Sequence, residues 1–196
     1  TVVDAHKGPI RWHVEVTGRA AHSSMAPIGV NAIAIAAELI AELNRIETEL
    51  KTATHDDRFT PPYATLQVTE ISGGTASNIV PAACRFGFEI RALAGLDVDA
   101  IEQRLVQFAE SRFLAGMQRV APEAGISIRR VNSVPPFAAT PASEAVALAL
   151  TLAQQNETHA VSYATEAGLF QMAGVPAVVC GPGDIAQAHT ADEWIA

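Results

Sequence analysis

Four apolar side chains, Cys84, Phe86, Phe88 and Ile90, alternate with Arg85, Gly87, Glu89 and Arg91. A period of two sustained over eight residues fits a strand with one face in a core and the other toward water. The chain must therefore build a sheet covered on one side. Ile10, Trp12, Val14 and Val16 repeat the pattern against Arg11, His13, Glu15 and Thr17. Two helical stretches can supply the cover. Behind Asn31 as N-cap, Ile33, Ala36, Ile40, Leu43 and Ile46 recur at helical spacing. Behind Asp97, so do Ile101, Leu105, Phe108 and Leu114, with Gly116 as a candidate stop and Val120 as the far limit. Tyr63–Ile71 and Gly125–Val131 add two more strands. The order strand, helix, strand, strand, helix, strand predicts an α+β domain over residues 10–134: a ferredoxin-like four-stranded sheet with two helices on one face.

Pro135-Pro136 breaks this pattern. Beyond it, Thr140-Pro141 reads as a helix start and Ala160–Tyr163 as a short strand. Thr165–Ala173 reads as a helix closed by Gly174, and Val175–Cys180 as a buried strand before Gly181-Pro182-Gly183. These residues are too few to close a sheet of their own. Residues 135–196 are expected to be an incomplete α/β segment of a larger domain, and residues 1–9 a hinge arriving from it. The chain opens at Thr1 without an initiator methionine or signal pattern and stops at Ala196 inside what reads as a new element, so it is expected to be part of a longer protein.

Composition narrows the function classes. At 49% hydrophobic and 17% charged residues the chain can bury a core and is no disordered tail. A net charge of -8 with no basic run argues against nucleic acid and anionic membranes as partners. The apolar stretches are far too short to span a bilayer. Two cysteines, Cys84 and Cys180, form neither a framework nor a metal-type spacing, so a reduced, cytoplasmic setting is expected.

Several residues stand where chemistry is displayed. His22 lies in the turn Gly18-Arg19-Ala20-Ala21-His22-Ser23-Ser24, either as a hydrogen-bonded structural residue or as a presented imidazole. His189 follows a strand and a glycine loop, a position suited to a metal or substrate and equally to a surface histidine; one histidine makes no zinc site, which usually takes three protein ligands. Arg91 can clamp a carboxylate or pair near Glu89. Asn78 can bond its own turn or donate to a ligand. Glu166 at a helix start is favoured electrostatically whatever its role.

Taken together, several stretches resemble one family, the M20-type metallopeptidases and amidohydrolases, and within it the acetylornithine deacetylase branch. The carrying residues are His6-Lys7-Gly8, the Gly18–Ser24 turn with Gly29-Val30-Asn31, and Gly73-Gly74-Thr75-Ala76-Ser77-Asn78-Ile79-Val80-Pro81. They continue with Phe88-Glu89-Ile90-Arg91, Thr165-Glu166-Ala167-Gly168, Val179-Cys180-Gly181-Pro182-Gly183 and Gln187-Ala188-His189.

The resemblance implies that residues 10–134 are a lid, or dimerisation, domain and that residues 135–196 return to a zinc-dependent catalytic domain. It implies a homodimer in which His22 reaches the partner's site and polarises the scissile carbonyl. Asn78 and Arg91 would hold the substrate carboxylate, Thr165 would line the pocket, and His189 would be a zinc ligand. Charge complementarity suggests Glu166 for the ornithine ammonium. The implied parent is a two-metal zinc hydrolase of linear amides, in which cobalt can substitute, and its substrate is a small N-acyl amino acid. The remaining ligands lie outside this sequence, so the piece alone is expected to be inactive. Related alternatives are a succinyl-diaminopimelate desuccinylase, an aminoacylase, or a non-catalytic dimerisation module.

Overall fold

The chain begins with two strands separated by a single residue: β1 (Val2–His6) and β2 (Gly8–Thr17) flank Lys7. The structure is a computed structural model describing residues 1–182, 187 and 191–194. From β2 the chain turns into α1 (Ala32–Leu50), where Asn31 Oδ1 accepts the Ala34 amide at 3.0 Å as the expected N-cap. The hairpin β3 (Thr65–Gly73) and β4 (Ala83–Ala92) follows. Asp97 caps α2 (Val98–Ala109) by accepting from the Ala100 amide at 2.9 Å. One wide turn, Glu110–Leu114, leads into α3 (Ala115–Val120) and then β5 (Gly125–Ser133). Gly116 does not stop the helix, because it keeps a negative φ and so makes no left-handed C-cap.

These strands pair in the order β3-β4-β2-β5, every neighbour antiparallel. This is the α+β, ferredoxin-like arrangement that the alternation predicts. The apolar set of β2 (Ile10, Trp12, Val14, Val16) and that of β4 (Cys84, Phe86, Phe88, Ile90) are buried under α1 and α2. Each such side chain contributes about 1.5–3 kcal/mol on burial. Trp12 stacks on Phe88 with centroids 4.8 Å apart, and its indole N–H donates to Glu102 at 2.7 Å. The one polar atom of that ring is thereby satisfied inside the core.

A second small sheet forms from the two ends of the chain. β6 (Phe137–Ala138) pairs antiparallel with β1; α4 (Glu144–Ala153) follows, then β7 (His159–Val161), which pairs parallel with β1. After α5 (Ala167–Met172), β8 (Val179–Cys180) pairs antiparallel with the start of β1. Val2–His6, inside the stretch expected as an incoming hinge, is the strand with which β6, β7 and β8 all pair.

Two sequence expectations in this half fail for local reasons. The helix expected at Thr140-Pro141 starts at Glu144, because Ser143 rather than Thr140 caps it, accepting from the Val146 amide at 3.4 Å. The buried strand expected over Val175–Cys180 shrinks to two residues, neither of them buried. Its first residue belongs to the end of α5: Gly174 has φ +76°, its amide bonds Gln171 O at 3.0 Å, and the Val175 amide bonds Phe170 O at 2.9 Å. That pair of bonds is a Schellman cap, which holds Val175 against the helix rather than in a sheet.

Candidate functional site

The candidate residues gather at two opposite ends of the larger sheet. The far end is built where β2 runs out. Gly18 is required there, since a Cβ would overlap the carbonyl of Val30. Its amide donates to Ala82 O at 2.7 Å, and Arg19 exchanges backbone bonds with Val30. The Arg19 guanidinium reaches across to Glu123 in a forked pair of 2.9 and 2.8 Å, and donates to Val120 O at 2.7 Å. The turn that presents His22 is therefore pinned to the loop before β5.

His22 and Asn78 travel together. The Ser23 amide donates to Asn78 O at 2.9 Å, the Val80 amide donates to Ala21 O at 2.8 Å, and His22 bridges Ile79. Both side chains are exposed. The His22 ring accepts the Ser24 amide at Nδ1, 3.2 Å away, and lies 2.7 Å from Ser24 Oγ. The Asn78 amide makes no side-chain hydrogen bond among the described residues, so it does not serve its own turn.

The other end lies at the junction of the two sheets. Arg91 stands on β4, an interior strand, opposite Pro9 on one side and Thr65 on the other. Its Nε donates to Glu89 at 2.5 Å, and the same carboxylate takes Arg11 Nε at 2.6 Å. The two terminal nitrogens of Arg91 make no hydrogen bond among the described residues. A guanidinium so placed can meet a carboxylate while Glu89 fixes its plane.

Beside it, Lys7 is fully buried. Its ammonium donates to Pro61 O and Tyr63 O, each at 2.7 Å, and sits 5.6 Å from the Phe59 centroid. Burial, helped by the positive charge of Arg91, lowers its pKa below the ordinary lysine value.

His6 is buried as well. Its Nδ1 lies 3.1 Å from Lys7 O and its Nε2 accepts the Thr165 amide at 3.4 Å, which places the ring proton of the neutral form on Nδ1. Burial pushes its pKa down, and hydrogen bonds with nearby backbone and the charge of Glu166 oppose this.

Thr165 is half-buried, and its Oγ1 accepts the Ala167 amide at 3.2 Å, capping α5. Glu166 is exposed and makes no cap bond. Gly168 lets this turn press onto the junction, because a Cβ there would lie 2.5 Å from Pro135 O.

The structure thus joins His22 to Asn78, and it sets Arg91, Thr165 and Glu166 around the sheet junction. It does not bring the two groups together. Thr17, at the His22 end, pairs with Ala83, and Pro9 pairs with Arg91. Eight strand residues at about 3.4 Å each separate the ends by about 27 Å. The expected zinc ligand His189 lies outside the described residues. Among the described residues no three His, Cys, Asp or Glu side chains cluster to hold a metal ion. His6 and Lys7 carry no role on sequence grounds. Their signal was the His6-Lys7-Gly8 stretch alone, and burial is what gives them weight. No helix among the described residues is long and apolar enough to cross a membrane.

The peptidase dimerisation domain of the M20 family matches residues 4–117. An acetylornithine deacetylase of Yersinia pseudotuberculosis is 33% identical over 193 residues, covering 98% of this chain and 48% of that protein. One from Myxococcus xanthus is 33% identical over 200 residues, covering 98% and 49%. The chain spans about half the length of the curated relatives it matches. Among solved structures, the aminopeptidase PepT of Bacillus cereus superposes with a TM-score of 0.61 at 22% identity, over 90% of this chain and 44% of that one. That likeness is one of fold. The match to the dimerisation domain over residues 4–117, more than half of the chain, places this chain in the M20 peptidase family.

Proposed function

We propose that these residues belong to a zinc-dependent amide hydrolase that removes the acetyl group from N-acetylornithine, and that it works as a homodimer. The chain divides in this reading into a hinge at residues 1–9, a lid at 10–134 and a returning segment of the catalytic domain at 135–196. The similarity to proteins named acetylornithine deacetylase favours this substrate over a succinylated or other acylated amino acid. The observation that carries the reading is the separation of about 27 Å between the His22–Asn78 end and the Arg91–Thr165–Glu166 end.

A small acyl amino acid cannot touch both ends of one sheet. It can touch both if one end comes from a second copy, as a two-fold dimer allows. His22 then donates to the carbonyl oxygen of the scissile amide, and the Asn78 amide donates to the substrate carboxylate from the same side. Arg91 holds that carboxylate from the substrate's own subunit. Thr165 lines the pocket, and Glu166 meets the ammonium of the ornithine side chain. A donor aimed at the developing oxyanion is worth a few kcal/mol of barrier. His189 would be a zinc ligand in the whole protein, and the metal held there would supply an activated water. The reading assigns turnover to the whole protein and none to these residues alone.

Mixed dimers test it. In the whole protein, His22→Ala and Arg91→Ala are each expected to abolish most hydrolysis of N-acetylornithine. Mixing the two variants restores about a quarter of wild-type turnover, because half the dimers are mixed and each has one intact site. No recovery on mixing would place both residues in one subunit's site. Hydrolysis of other acyl amino acids but not N-acetylornithine would shift the reading to another amidohydrolase of the family.

A further inference from the structure

The Nδ1 atom of His22 faces two groups of the same residue. The Ser24 main-chain N–H lies 3.2 Å away and can only donate, so Nδ1 holds a lone pair in the neutral ring. The neutral imidazole therefore carries its proton at Nε2. Ser24 Oγ, at 2.7 Å, is ambivalent. It donates to the bare Nδ1 of the neutral ring, and it accepts from Nδ1–H when the ring is protonated. In either state Nε2 keeps a proton. That atom makes no hydrogen bond among the described residues, on an exposed side chain. The backbone beneath is fixed by the Ser23–Asn78 and Met25–His22 bonds at 2.9 and 2.7 Å, so the ring's remaining freedom is rotation, which Ser24 removes.

We infer that Ser24 is a positioning residue that holds the His22 ring with Nε2 as a permanent hydrogen-bond donor. The inference rests on the reading of His22 as the group that polarises a carbonyl, and it sharpens that reading. A ring held this way donates through Nε2, and cannot use that atom as a general base or a metal ligand.

The test reads the ring directly. In a proton–nitrogen correlation spectrum of this chain carrying isotope-labelled histidine, above the histidine titration range, His22 is expected as a single Nε2–H tautomer; His22→Gln assigns its signals. Ser24→Ala keeps the main-chain N–H and removes the hydroxyl, so it is expected to move both ring shifts part of the way toward the averaged values of a free histidine amide, and Ser24→Thr to restore them. The buried Trp12 indole signal reports that each variant is folded. In the whole enzyme, Ser24→Ala should lower kcat roughly tenfold with KM little changed. A wild-type ring protonated at Nδ1, or Ser24→Ala shifts identical to wild type, overturns the inference. If the tautomer result holds and the whole protein fails to hydrolyse acyl amino acids, Ser24 keeps its role and only the functional reading falls.

Discussion

The main-chain amide of Thr165 donates to Nε2 of the buried His6 across 3.4 Å. That bond exists only while His6 is neutral at Nε2, and burial holds its folded pKa below the ordinary 6.5. Between the folded value and about 6.5 the unfolded chain binds more protons than the folded one, so stability falls as pH drops through that window. Thermal melts from pH 8 downward should show this loss, and His6→Gln should flatten it. An unchanged slope in the variant would remove His6 as its source.

Lys7 hides an ammonium against two carbonyl oxygens and an aromatic face. Lys7→Met keeps the stem and removes the charge-assisted bonds, leaving Pro61 O and Tyr63 O without their donor. The desolvation of Lys7 opposes part of that loss. The expected outcome is a net destabilisation of about 1–3 kcal/mol in urea unfolding. A variant as stable as the parent would show that burying the charge costs as much as its bonds return.

Two glycines should respond with opposite signs. Gly18→Ala drives a Cβ into the Val30 carbonyl and should cost at least about 1–3 kcal/mol, with the His22 turn displaced. Gly116→Ala meets nothing within 4 Å on the exposed side of a helix and should stabilise by about 0.5–1 kcal/mol. Melting curves of the pair decide this, and equal shifts would contradict both arguments.

His22 is exposed, holds no core contact and caps only one exposed turn, so His22→Ala should lower the melting temperature of this chain little. In the whole protein the same change should lower kcat by about 10²–10³ with KM little altered, the pattern of a contact made in the transition state. A raised KM at constant kcat would instead make His22 a binding residue.

How much of this was legible in the sequence depended on burial. The alternation of β2 and β4 is clean because helices cover one face and water the other, so the topology of the larger sheet follows from it. β1 has the same hydrogen-bonded geometry but is buried at Val2, Val3, Ala5 and His6, on both faces, which erases the period of two.

That Arg91 sits on an interior strand is hidden in its segment, because strand order is a property of the sheet and not of a segment. The coupling of His22 to Asn78 runs through main-chain bonds, which carry no side-chain signature. Placing His22 at the far end from Arg91 needed the register of β2 against β4.

The polypeptide crosses from one sheet to the other at Lys7 and again at 134–136, and the two crossings touch. Gly8 has no room for a Cβ because Val134 and Pro136 fill it, and the Val134 amide bonds Pro9 O at 3.1 Å. Two adjacent spans act like the pins of a door: they leave one axis for turning and resist twist and slide. Across that axis the side-chain fastenings away from the pins include the exposed Arg58–Asp4 pair at 3.3 Å and the Ser162 hydroxyl on Thr60 O at 3.3 Å. Surface contacts of this kind hold about 1 kcal/mol or less each. Ala5, Ala138 and Ala160 also pack into the core of the larger sheet, so turning about that line would part apolar contacts as well as these surface bonds.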